Sequence, residues 1–142
     1  MPRTEIDAAL ERLVHHALEV MCFAEAERLP SLPTIGTPVE VSVDFSGGRT
    51  GRLQLDVDAG AARALSAAFL GVEAGDPSAA SETAAVVQEL AHILAGRLVT
   101  SLDPAVPFEA KRCSTTSWKP ATTIGQAFRV CAGTLRITLQ MS

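Results

Sequence analysis

Glu89 and His92, three residues apart near the middle of the chain, have the types and spacing to do chemistry together. A helix turns by about 100° per residue, so positions three apart are neighbours on one face. Over residues 78–101 this rotation gathers Val86, Val87, Leu90, Ile93, Leu94 and Leu98 on one arc. Ala85, Glu89, His92 and Gly96 fall on nearly the opposite side, so the carboxylate and the imidazole face water together. Alanine and glycine flank them, instead of the Lys and Glu that usually clothe a solvated helix. The pair therefore stands above a low surface that a second protein can approach closely. A mid-helix glycine such as Gly96 costs about 1 kcal/mol relative to alanine, which asks for a use. The plainer reading is that an exposed Glu and His at this spacing form a weak stabilising pair and nothing more.

The same letters bear on a metal site. Gln88-Glu89-Leu90-Ala91-His92 looks like the HExxH motif with its first histidine replaced by glutamine. That motif offers zinc two imidazoles one turn apart, and glutamine is a poor zinc ligand, so only His92 and at most Glu89 remain. His15 falls on the exposed side of the first helix and His16 on its edge, where solvated histidines are ordinary. No metal site is expected. Cys22, Cys113 and Cys131 are odd in number and lack CxxC spacing, which argues against a disulfide framework and a structural zinc. Cys22 and Cys131, among apolar neighbours, read as core filler. Cys113 has a cation beside it, Arg112, but no base nearby in sequence.

The elements that must position Glu89 and His92 follow from periodicity. Residues 4–23 carry Ile6, Leu10, Leu13, Val14, Ala17 and Met21 at helical spacing, with Thr4 placed to cap the start. Pro30 and Pro33 enforce a loop. Val39, Val41 and Val43, then Leu53, Leu55 and Val57, alternate with polar residues around Gly47-Gly48, the pattern of a β-hairpin with one buried face. Residues 61–70 form a short helix stopping at Gly71. The long helix of 78–101 follows and closes at Asp103-Pro104. Strands are expected near 108–117, 122–131 and 134–141, the last two joined by Ala132-Gly133. The expectation is an α+β fold, two long helices and a short helix packed on an antiparallel β-sheet.

With 142 residues, 47% hydrophobic and 20% charged, the chain suits one globular domain spanning 1–142. The net charge of −4 and the scattered cations argue against nucleic acid as a partner. No apolar run reaches the roughly 18 residues of a membrane span, and the N-terminus lacks the apolar stretch of a signal peptide. The expected location is the cytoplasm, with no membrane partner.

Glu89-Leu90-Ala91-His92-Ile93-Leu94-Ala95-Gly96 resembles the site helix of the CheX and CheC group of chemotaxis phosphatases, whose signature is E-x-x-N followed by a small residue and glycine. Glu19-Val20-Met21-Cys22-Phe23 is similar to that family's first-helix ending. Gly51-Arg52-Leu53-Gln54-Leu55 is similar to its G-x-V-x-L strand, and Ala64-Leu65-Ser66-Ala67-Ala68-Phe69-Leu70-Gly71 to its short helix. The matches fall in the family's order over most of the chain, so a CheC-like fold is implied.

The resemblance also implies a partner and a reaction: hydrolysis of the aspartyl phosphate on a CheY-like response regulator, in chemotaxis or two-component signalling. On this reading Glu89 engages the regulator's lysine and His92 takes the water-holding place of the family's asparagine. Ala85 stands where the family often has Asp or Ser, and with Gly96 it belongs to the partner-binding surface. No cofactor is bound by this chain, and magnesium is supplied by the receiver domain. A homodimer is implied as well. A neutral imidazole has one donor and one acceptor on a longer arm than asparagine's amide. Two readings therefore stand beside each other: a phosphatase, and a noncatalytic receiver-binding module of the same fold.

Overall fold

The computed structural model describes residues 2–46, 49–105, 109–111 and 120–142. In order the elements are α1 (Arg3–Cys22), β1 (Glu27–Arg28), β2 (Pro38–Ser46), β3 (Gly51–Asp58), α2 (Ala59–Leu70), α3 (Pro77–Ser81), α4 (Thr83–Leu102), β4 (Glu109–Lys111), β5 (Thr122–Val130) and β6 (Gly133–Met141). The strands form one antiparallel sheet in the order β1-β5-β6-β3-β2-β4. The α+β architecture expected from the sequence is the one observed.

The strands' period-2 pattern makes the sheet two-faced. Leu53 pairs with Leu139, Leu55 with Ile137 and Val57 with Leu135, and all six are buried against the helices. The alternate residues Arg52, Gln54, Asp56, Arg136, Thr138 and Gln140 occupy the other face. There Arg52 grips Asp44 through two hydrogen bonds, 2.6 and 3.1 Å, joining β3 to β2. Helices α1 and α4 pack on each other and on the apolar face, with Leu10, Val14 and Leu18 meeting the same core as Leu90, Leu94 and Leu98. The two helices bury their apolar stripes by covering the sheet, which removes water from both.

Several local expectations change. Pro2, not Thr4, is the N-cap of α1, and its carbonyl accepts from the N–H groups of Glu5 and Ile6. Thr4 is already helical, so its side chain caps nothing. The helix ends at Phe23 in the left-handed conformation (φ 51°), and the N–H of Ala24 returns to the Leu18 carbonyl at 3.1 Å. A two-residue strand, β1, follows and pairs with β5, in a stretch too short for periodicity to reveal. Arg28 ties it to α1 through Asp7 at 3.4 Å and Glu11 at 3.3 Å.

The helix expected over 78–101 is two helices. Asp76 caps the first by accepting from the Ser78 N–H at 2.9 Å, and Ser78 holds its carboxyl below the ordinary value. Glu82 (φ −98°, ψ 4°) separates α3 from α4. The Thr83 hydroxyl donates to the Ala79 carbonyl at 2.7 Å, the acceptor that an unbroken helix would offer to the Thr83 N–H. Ile93 is only half-buried, whereas Ala91, Ala95 and Val99 join the buried face.

The β5–β6 turn is Cys131-Ala132, both left-handed (φ 49° and 60°), so Cys131 is exposed and not core filler. Gly133 is the first residue of β6. A Cβ there would lie 2.7 Å from that of Ala61, so this glycine serves packing against α2 and not the turn. Gly71 does stop α2 as expected, in the left-handed conformation (φ 72°), with its N–H on the Ala67 and Ala68 carbonyls. Of the strand expected at 108–117, residues 109–111 pair with β2. The rest of that segment, Cys113 included, lies outside the described residues.

Candidate functional site

Glu89, His92 and Ala85 are all exposed on α4, and Gly96 is half-exposed one turn beyond His92. The structure thus brings together on one outward stripe the four residues singled out from the sequence. Beneath them Leu90, Ala91, Leu94 and Ala95 are at most 1% exposed. The site residues consequently sit on a helix whose opposite side is locked into the core, an arrangement that holds side-chain origins still better than a loop would. Gly96 also receives a back-bond from below: the Thr100 hydroxyl donates to its carbonyl at 2.9 Å.

Gln88 completes the stripe. It is exposed, one turn before His92, and its Nε2 donates to the Ser42 carbonyl of β2 at 3.3 Å. Reading it only as a lost zinc ligand missed this placement. The signal was the four-residue spacing to His92, which puts both side chains over neighbouring turns.

The site is a convex helix face and not a cavity. A hollow of about 480 Å³ lies elsewhere, at the end of α1, lined by His15, Glu19, Phe23, Ala24, Glu25 and Ala26. His15 is half-buried there instead of solvated, its ring meeting Phe128 edge to face at 5.5 Å. His16 remains exposed. Among the described residues no group of three or more His, Cys, Asp or Glu side chains stands close enough to hold a metal ion. Nor is any helix among them long and apolar enough to cross a membrane. What a convex stripe can do is meet another macromolecule, presenting a carboxylate, an imidazole and an amide above small side chains.

By architecture the chain belongs with α+β proteins in which two long helices cover one face of an antiparallel sheet. No protein-family model matches the sequence, and no curated protein matches it either. Solved structures do match. A chemotaxis protein CheX from Desulfovibrio desulfuricans superimposes with a TM-score of 0.70 at 16% identity, over 97% of this chain and 99% of that one. CheX from Borrelia burgdorferi, solved in a CheX–CheY–BeF3–Mg complex, gives 0.65 at 16% identity over 94% and 96%. A CheC-like superfamily protein from a Shewanella species gives 0.65 at 13% identity over 100% and 99%. The fold is that of CheX and CheC-like proteins, and these chains are alike from end to end. Function is a separate argument from fold, to be made from the site.

Proposed function

We propose that this chain belongs to the CheX-like proteins and acts on a CheY-type response regulator, hydrolysing the phosphoryl group on the regulator's aspartate. The observation that carries the reading is the placement of Glu89 and His92 one turn apart, outward, on a helix fixed to the core by Leu90 and Leu94. Support comes from the CheX of the same fold that was crystallised with CheY, beryllofluoride and magnesium.

An acyl phosphate is already reactive, so the reaction needs an oriented water and stabilised charge more than it needs a strong base. Glu89 reaches the receiver's lysine and sets the register of the two proteins. His92 lies beside the phosphoryl group, where a neutral imidazole accepts a hydrogen bond from the attacking water. Charge on the phosphoryl oxygens is offset by magnesium that the receiver brings. The small side chains of Ala85 and Gly96 let the receiver come close. The same reading makes the chain a cytoplasmic homodimer in chemotaxis or two-component signalling, and light scattering tests the dimer.

The deciding experiment follows phosphate loss from a receiver labelled by a small phosphodonor, with magnesium present. The wild-type chain accelerates the decay, and Glu89→Ala abolishes the acceleration. Decay rates unchanged by the wild-type chain across the cognate organism's receivers refute the hydrolase.

A second reading rests on His92 itself. With an imidazole where an amide would hold water, the stripe serves as a docking module that binds a receiver without turning it over. Binding without acceleration, with hydrolysis appearing in His92→Asn, is its signature.

A further inference from the structure

We infer that Gln88 supplies the amide that holds the attacking water, a positioning task that His92 does not fill alone. The inference rests on the hydrolase reading above and assigns a residue to it. An in-line attack on phosphorus is favoured when acceptors hold the water's O–H bonds, because its lone pair is then aimed at the phosphorus. Glu89 is occupied by the receiver's lysine in that reading. A neutral imidazole has a single acceptor nitrogen, and only one water hydrogen can use it.

Gln88 has what is missing. It is exposed on α4 one turn before His92, so the two side chains start from adjacent turns of the same face. Its Nε2 is engaged with the Ser42 carbonyl of β2 at 3.3 Å. That contact spends a donor of the amide and restrains the side chain, while Oε1 keeps its acceptor capacity for water. A restrained side chain loses less rotamer freedom when the receiver docks. The amide also keeps both its donor and its acceptor at every pH of interest.

In the balanced step the water oxygen bonds to phosphorus as the bond between phosphorus and the aspartyl oxygen breaks. The electron pair leaves on the aspartate, which becomes a carboxylate, and both water hydrogens end on the released phosphate. Gln88 Oε1 accepts from one O–H and the His92 imidazole from the other, so neither residue is consumed.

The test compares four proteins on one phosphorylated receiver with magnesium: wild type, Gln88→Met, His92→Asn, and the double variant. Gln88→Met keeps the side-chain volume and removes the amide. The maximal dephosphorylation rate is expected to fall on the order of 10²-fold, while affinity for the beryllofluoride-activated receiver changes less than about twofold and the melting temperature barely moves, since one hydrogen bond at an exposed side chain adds little to stability. In the His92→Asn background the introduced amide takes the water, and Gln88→Met then costs little. A Gln88→Met protein as fast as wild type, or one slower only through weaker binding, overturns the inference and leaves the hydrolase standing. A wild-type chain that accelerates nothing overturns both.

Discussion

Helices α1 and α4 are each 20 residues long and pack side by side on the same sheet face, yet their outward surfaces differ. The end of α1 exposes Val20 at 53% and Phe23 at 83% and borders a hollow of about 480 Å³. The middle of α4 is an exposed helix face that shows mostly alanine, glycine and three polar side chains. A small ligand would favour the first region, because concavity removes most of a ligand's surface from water. Under the proposed function the phosphoryl group is already mounted on a protein and needs the second, because a hollow would keep its carrier at a distance. The size of a cavity therefore points to a site only when the substrate is small.

The largest effect that tests this comparison comes from below the stripe. Leu94→Ala removes a side chain that is 1% exposed, and chemical denaturation should report a loss of about 2–5 kcal/mol. If the stripe works through rigid placement, receiver dephosphorylation falls before the protein unfolds. Next in size is Glu89→Ala, which should abolish any acceleration while leaving stability within about 0.5 kcal/mol, as expected for an exposed position. Truncations in the α1 cavity, such as His15→Ala, should leave the dephosphorylation rate intact. If they remove it, the two regions have been ranked the wrong way round. His92→Asn sharpens the contrast within α4. It should raise or create turnover, by single-turnover assay, and a lower rate would show that the imidazole itself does chemistry.

Smaller effects mark α1 as structural. Burial first, and the neighbouring Cys131 thiol second, push Cys22 from 9.0 up to about 11. A raised folded value means that the unfolded chain gives up its proton first. The stability contributed is complete below pH about 9 and is lost as pH rises through about 11. Melting temperatures across that window should decline, and the decline should flatten in Cys22→Ala. The smallest expected change is in Phe23→Gly. Relief of a left-handed φ of 51° should stabilise α1 by up to about 1 kcal/mol in thermal denaturation, with no effect on a receiver.

Much of this molecule was legible in the amino-acid order, because helices and strands that half-bury themselves advertise the fact by period. Most large apolar positions of α1, β3 and α4 point inward as their period predicts, Ile93 being the exception on α4, and Glu89 and His92 point outward. Period does not report on short or packed exceptions. It overlooked β1, whose two residues carry no pattern, and the break at Glu82, which depends on a hydroxyl competing for a backbone carbonyl. It misassigned Gly133 and Cys131, since a glycine beside a turn is expected to make the turn, whereas here the close approach of Ala61 claims it.

Which residues share a side of α4 follows from the amino-acid order alone, because a helix's geometry is local and 3.6 residues per turn fix the spacing of each face. The tether of Gln88 to Ser42, 46 residues away, the packing of His15 against Phe128 and the hollow at the end of α1 are visible only in the folded chain. Those are long-range contacts, set by how α4 settles on β2 and α1 on β5, and no local pattern encodes them.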